Sequence, residues 1–150
     1  VPEAISREPE TAVVALIHRE GRVLFVQRSS FAHGAVGYWC PVSGRVEANE
    51  TQEEALAREV REEVGLEVVA VRKVAEVPTP DGRYLLHYWT TALRGGDAKP
   101  ISREVAAIKW VTLDEMYELE PTFEEDLEVV AETLAAGSSD RLSNRRSPAG

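Results

Sequence analysis

Two runs rich in β-branched residues, TAVVALIHRE and GRVLFVQR, lie on either side of Arg19-Glu20-Gly21. Apolar runs meeting at a glycine predict a hairpin. Residues 29–38, SSFAHGAVGY, hold two glycines and no clear period, which predicts a loop. YWCPVSG follows as a short strand or extended approach. From Thr51 the period changes. Leu56, Val60 and Val64 recur every four residues, Thr51 and Glu54 have capping-box spacing, and Gly65 can adopt a left-handed stop. A helix is predicted between Thr51 and Gly65.

LEVVAVRKVAEV and RYLLHYWTTAL then read as strands, separated by the turn-forming PTPDG. Along the second, Tyr84, His87 and Trp89 are set against Leu86 and Tyr88, and one of these sets is expected to line a pocket. REVAAIKWVTL predicts another strand, with a short helical turn from Asp114. Pro121 and Thr122 introduce a last helix whose Phe123, Leu127, Val130 and Leu134 share one face. Strands before and after a central helix, with a late helix for the other face, predict an α/β/α layered sandwich. Residues 1–10 read as an N-terminal extension and 11–136 as the domain. From Gly137 the chain is polar and aperiodic, so 137–150 is expected to be a flexible tail.

Length and composition agree with one domain: 150 residues, 43% hydrophobic and 29% charged. No apolar run is long enough to span a bilayer, and VPEAISREPE lacks the basic-then-apolar order of a secretory signal. Cys40 is the only cysteine, which excludes an internal disulfide and fits a cytoplasmic setting. The net charge is −9. So acidic a chain gains nothing from non-specific attraction to nucleic acid or anionic lipid, and neither is expected as a partner. An anionic ligand would need a cation between itself and the protein.

Acid is concentrated in GRVEANETQEEALAREVREEVGL, residues 44–66. Glu59, Glu62 and Glu63 fan across one side of the predicted helix, beside its buried stripe. Two carboxylates about 5 Å apart repel by on the order of 3 kcal/mol at an effective dielectric near 20. Arg58 and Arg61 relieve part of this, and a salt-bridged solvated face is one outcome. A site for hard divalent cations is the other.

The spacing Gly44, five residues, Glu50, seven residues, Arg58-Glu59-Val60-Arg61-Glu62-Glu63-Val64-Gly65-Leu66 resembles the Nudix box, G-x5-E-x7-R-E-U-x-E-E-x-G-U, at every position. The chain is therefore identified as resembling the Nudix hydrolase superfamily, with the surrounding elements similar from about Thr11 to Ala136. The resemblance implies an α/β fold of the Nudix sandwich type with a mixed β-sheet. It also implies hydrolysis of a nucleoside diphosphate linked to another moiety: a nucleoside triphosphate, ADP-ribose or a dinucleoside polyphosphate. Its cofactor would be Mg²⁺ or Mn²⁺, and its substrate a small nucleotide. The alternative is a non-catalytic protein of the same fold that senses a nucleotide or ADP-ribose. A homodimer is among the open oligomeric states.

Carried over position by position, Glu59 and Glu63 resemble the principal metal ligands, Glu62 a further one, and the Gly44 region a main-chain donor. Arg58 resembles the arginine that orients Glu59, and Glu50 a supporting carboxylate. The family's general base varies, with Glu62 in the box or Glu104 in a later loop as the candidates here. Arg28 is the candidate phosphate contact, and Trp39 and Tyr38, with Phe31, are candidates for stacking on a base. Pro41-Val42-Ser43-Gly44 departs from the Pro-Gly-Gly of many members, which puts the carbonyl geometry upstream of Gly44 in question. No Walker loop or dinucleotide-binding glycine pattern occurs.

Overall fold

The computed structural model describes residues 8–146, the side chains of 137–146 excepted. Its elements, in order, are β1 (Glu10–Leu16), β2 (His18–Arg19), β3 (Arg22–Arg28), β4 (Trp39–Cys40), β5 (Val42–Arg45), α1 (Gln52–Val64), β6 (Glu67–Pro78), β7 (Tyr84–Gly95), β8 (Val105–Val111), α2 (Leu113–Met116) and α3 (Glu124–Arg146). The first sheet has the order β5-β1-β7-β6, with β1 parallel to β7 and the other neighbours antiparallel. In the second sheet β3 pairs antiparallel with β2, β4 and β8.

The first sheet is covered on both faces. Val13 and Ala15 of β1 share a core with Leu56, Val60 and Val64 of α1. Val14 and Leu16 share another with Tyr88, Val129 and Val130. A strand buried on both faces reads as an unbroken apolar run, which is why β1 shows no alternation. The result is the expected α/β/α sandwich around a mixed sheet. Among the described residues no helix is long and apolar enough to cross a membrane.

Two predicted strands divide between the sheets. The hairpin is only β2 turning back onto β3, through Glu20 and Gly21 at φ 53° and 78°. β1 instead lies between β5 and β7, where both of its edges are paired. YWCPVSG is split likewise: β4 pairs with β3, and β5 pairs with β1. Pro41 stands at the switch, where its missing N–H breaks the ladder at little loss. This second crossing carries Ser43 and Gly44 beneath α1.

Three further differences concern side-chain parity and length. Tyr84 shares the face of Leu86 and Tyr88, two and four residues on, rather than that of His87 and Trp89. The last helix extends to Arg146, so positions 137–146 of the expected tail are helical. No proline interrupts that stretch before Pro148. β1 takes in Glu10 from the expected extension, and residues 1–7 and 147–150 lie outside the described residues.

Candidate functional site

The acidic helix forms as its sequence dictates. Thr51 accepts from the Glu54 N–H, and the Glu54 carboxylate accepts from the Thr51 N–H, at 3.1 and 2.8 Å. Gly65 closes α1 at φ 74°. Ala55, Leu56, Val60 and Val64 are buried, which fixes the rotation of the helix and hence the direction of every glutamate.

One flank of α1 is organised by Arg58. Its Nε and Nη2 donate to the two oxygens of Glu50 at 2.6 and 3.0 Å, the bidentate geometry that guanidinium favours. Nη1 donates to Glu59 at 2.9 Å and to Glu62 at 3.2 Å, and Nη2 also donates to the Arg45 carbonyl at 3.0 Å. Glu50 in turn accepts from the Glu47 N–H at 2.9 Å. Its carboxyl is held below the usual range, first by the Arg58 bond and then by that N–H. Arg58 is shifted upward, chiefly by Glu50, and stays charged.

The other flank is organised differently. Glu59 lies directly over Gly44, where a Cβ would overlap the carboxylate. Burial raises the Glu59 pKa although Arg58 opposes the shift. Glu63, one turn on, is pushed up to about 9, first by burial and then by the Glu59 carboxyl against it. Glu63 Oε2 is buried and has no hydrogen-bond partner. Two acids thus share a dry corner with one unsatisfied oxygen.

Both open onto a cleft of about 1050 Å³ between the β6–β7 turn, loop 29–38 and the start of α3. Glu104 lines the same cleft and adds its charge to those acting on Glu63. Its loop is stitched to the opposite one: the Ser29 N–H donates to the Glu104 carbonyl at 2.8 Å, and Ser29 Oγ to the Arg103 carbonyl at 2.6 Å. Arg28 also lines the cleft, but its Nε and Nη2 donate to the Gly34 and His33 carbonyls at 3.0 and 3.2 Å. It shapes the wall as well as charging it.

The structure therefore brings together Glu59, Glu63, Gly44, Glu104 and Arg28. Glu62 stands apart, its side chain 57% exposed and turned to Arg58. Among the described residues no three His, Cys, Asp or Glu side chains converge as a metal cluster. The donor set over Gly44 is the Glu59 and Glu63 carboxylates beside main chain, with Glu104 elsewhere on the same cleft. Tyr38 and Trp39 do not line it. Tyr38 stacks on Phe123 at 4.7 Å, while Trp39 packs into the core beside α3, with its main-chain N–H donating to the Pro121 carbonyl. Phe123, covered by Tyr38, lines the cleft together with Tyr84 and Tyr88.

Of the two β7 sets, it is Leu86 and Tyr88 that line the cleft, while Asp126 and Cys40 beside them were not foreseen there. Tyr88 Oη donates to Asp126 Oδ1 at 2.6 Å. A signal existed: Asp126 falls three residues after Phe123 and four before Val130, a charge placed on the apolar stripe of α3. The Cys40 thiol is pushed up to about 12, mainly by burial, so it is no nucleophile at neutral pH.

Comparison with known proteins gives a consistent result. The family model described as NUDIX domain matches residues 7–133. The CTP pyrophosphohydrolase of Escherichia coli K12 is 34% identical over 132 residues, which is 85% of this chain and 96% of that protein. The NAD-capped RNA hydrolase NudC of Vibrio vulnificus is 27% identical over 128 residues, 85% of this chain. The chain spans only 48% of that protein and 34% of the Deinococcus radiodurans protein of the same name. Among solved structures, the Escherichia coli ORF135 protein superposes with a TM-score of 0.72 at 28% identity, covering 97% of both chains.

Proposed function

The chain belongs to the NUDIX family, and from that premise we propose that it is a divalent-metal-dependent pyrophosphohydrolase. Its substrate is a nucleoside diphosphate linked to a further group. One observation carries the reading: the orphaned Glu63 Oε2 beside the Glu59 carboxylate, over a glycine with no Cβ to fill the space. An unsatisfied buried oxygen costs about 1–3 kcal/mol. A hard cation removes that penalty from both acids together, so the donor set fits Mg²⁺ or Mn²⁺. Glu59 and Glu63 would hold the ion, with the main chain at Gly44 as a further donor, and Glu62, turned to Arg58, would act through water. When bound, it neutralises phosphate oxygens and acidifies a water.

The remaining work falls to the side chains. Arg58, fixed by Glu50, keeps Glu59 in one orientation. Glu104 faces the same corner and accepts the proton of the attacking water. The water oxygen bonds to phosphorus, the anhydride P–O bond breaks, and the departing phosphate keeps the electron pair. Arg28 places positive charge on the wall opposite the acids, where substrate phosphates enter.

CTP and NAD-capped RNA are the first compounds to screen, since two relatives are named for acting on them. Nucleoside triphosphates, ADP-ribose and dinucleoside polyphosphates complete the panel. Each is incubated with Mg²⁺ or Mn²⁺ and both products are identified. Two phosphorylated products, formed only with metal, are expected. Binding with no product supports the nucleotide-sensing alternative, and neither binding nor product sinks both.

A further inference from the structure

The loop that carries Glu104 is tied down on both sides. Near its start the Lys99 and Ile101 N–H groups donate to the Val64 and Glu63 carbonyls at 3.1 and 3.0 Å. Those are carbonyls that the end of α1 leaves without helical partners. Near its finish stands Ser29, the residue after Arg28. The Ser29 N–H donates to the Glu104 carbonyl and Ser29 Oγ to the Arg103 carbonyl, at 2.8 and 2.6 Å. The same Oγ accepts the Phe31 N–H at 3.1 Å, and the Arg103 guanidinium lies 4.6 Å over the Phe31 ring.

Only Ser102 and Arg103 separate the two ties. Ser102 fills that gap, its Oγ accepting the Glu104 N–H at 3.1 Å and its carbonyl the Val105 N–H at 3.0 Å. The Glu104 carboxylate is bound much less closely. It is 45% exposed, and His33 Nε2 stands 4.0 Å away, beyond hydrogen-bond distance. The carboxylate therefore stays open to a proton, and the main chain is what places it.

We propose that Ser29 is a positioning residue whose hydroxyl clasps the Glu104 loop to the end of β3, setting the proton acceptor relative to Arg28. The assignment rests on the reading of Glu104 as the group that takes the proton of the attacking water. A hydroxyl suits the place because one atom donates to Arg103 and accepts from Phe31 at once. Alanine loses both bonds and threonine keeps both. The Ser29 N–H survives either change, so the loop loosens without detaching. A base displaced by a fraction of an ångström costs rate and leaves substrate affinity alone.

Two measurements test the clasp. In metal-free protein, Ser29→Ala is expected to speed amide exchange at Glu104 and Val105 about tenfold, with α1 unchanged and Ser29→Thr like wild type. Kinetics use Mg²⁺ and the panel compound cleaved fastest, CTP being the first tried. There Ser29→Ala is expected to lower kcat about tenfold at constant KM, and Ser29→Thr to restore it. Glu104→Gln alone is expected to lower kcat about 10²-fold or more. A residue that acts through Glu104 has nothing left to act on in that background, so adding Ser29→Ala is expected to change kcat by less than about twofold.

Equal losses in the two backgrounds, unaltered exchange, or a threonine variant as slow as alanine overturns the assignment. Those failures leave Glu104→Gln slow and the base in place. Undiminished kcat in Glu104→Gln by itself sinks the base, and the clasp with it.

Discussion

Helix α1 carries acid on two flanks, and the two are solved in opposite ways. On one, Glu50 and Glu62 meet the Arg58 guanidinium, and every charge has an opposite partner at hydrogen-bond distance. On the other, Glu59, which also takes a bond from Arg58, faces Glu63 in a buried corner that leaves one Glu63 oxygen orphaned. The residue type is the same, and Glu59, Glu62 and Glu63 all stand on α1, with Glu50 just ahead of it. What differs is Glu63, to which the described residues offer no cation at hydrogen-bond distance. A satisfied flank is architecture and holds its shape alone, whereas a buried unsatisfied one is stable only because the fold enforces it, which is the signature of a place for a ligand.

The largest expected effect comes from breaking the unsatisfied flank. Glu59→Gln or Glu63→Gln removes a ligand charge and is expected to lower turnover by about 10³-fold and to abolish the heat of Mn²⁺ binding. Glu62→Gln, on the paired flank, is expected to lower turnover by no more than about tenfold. Equal losses for the three would erase the distinction between the flanks.

Gly44→Ala comes next, because it attacks the corner without touching a charge. The new Cβ overlaps the Glu59 carboxylate, so that side chain must move. A displacement of about 1 Å at a catalytic group is expected to cost about 10²-fold in kcat. Stability should change by only about 1 kcal/mol, since the carboxylate is the yielding partner. Parallel losses of stability and rate would mark Gly44 as a packing residue instead.

Arg58→Lys sharpens the comparison from the satisfied side. A lysine reaches one acid as a point charge and cannot span Glu50, Glu59, Glu62 and the Arg45 carbonyl together. Stability is expected to fall by about 1–2 kcal/mol, and kcat by about tenfold through the loosened Glu59. KM is expected to hold, because Arg58 is not placed to meet substrate. Thermal melts and steady-state kinetics separate the two losses.

How much of this was legible beforehand follows the same division between local and distant causes. The whole of α1 could be read, because its cap, its stop and its buried stripe lie within residues 51–65. Glu59 and Glu63 could be placed on one side of it by the 100° step alone. That Glu62, their neighbour, turns to Arg58 depends on where Glu50 lies, and so on tertiary structure. The split of YWCPVSG between two sheets was hidden for the same reason: both halves are extended, and only partners in other strands tell them apart. Trp39 and Tyr38 looked like stacking faces because aromatic residues serve cores and ligands alike. Asp126 broke an apolar stripe in plain view, yet an acid in the first turn of a helix is ordinarily explained by the dipole.

The smallest effect is also the most direct measure of the difference between the flanks, because it needs no substrate. Glu63 holds its proton up to about 9 in the folded chain, against an ordinary 4.5. Between those values the folded state binds more protons than the unfolded state, so stability falls as pH rises through the window. Glu59 is displaced in the same direction and adds to the fall. Glu50 is displaced downward, and its contribution is present above the ordinary carboxylate pKa and lost only in acid. Glutamine at 63 cannot titrate. In EDTA, the unfolding free energies of wild type and Glu63→Gln from urea titrations are expected to agree near pH 4 and to separate by about 1–2 kcal/mol at pH 8, the variant being the more stable. Saturating Mn²⁺ should reverse that order, since binding adds RT ln(1 + [L]/Kd) to the wild type and little to the variant. Parallel pH profiles in EDTA would mean that the fold already satisfies Glu63, and the two flanks of α1 would then differ in sequence position but not in physics.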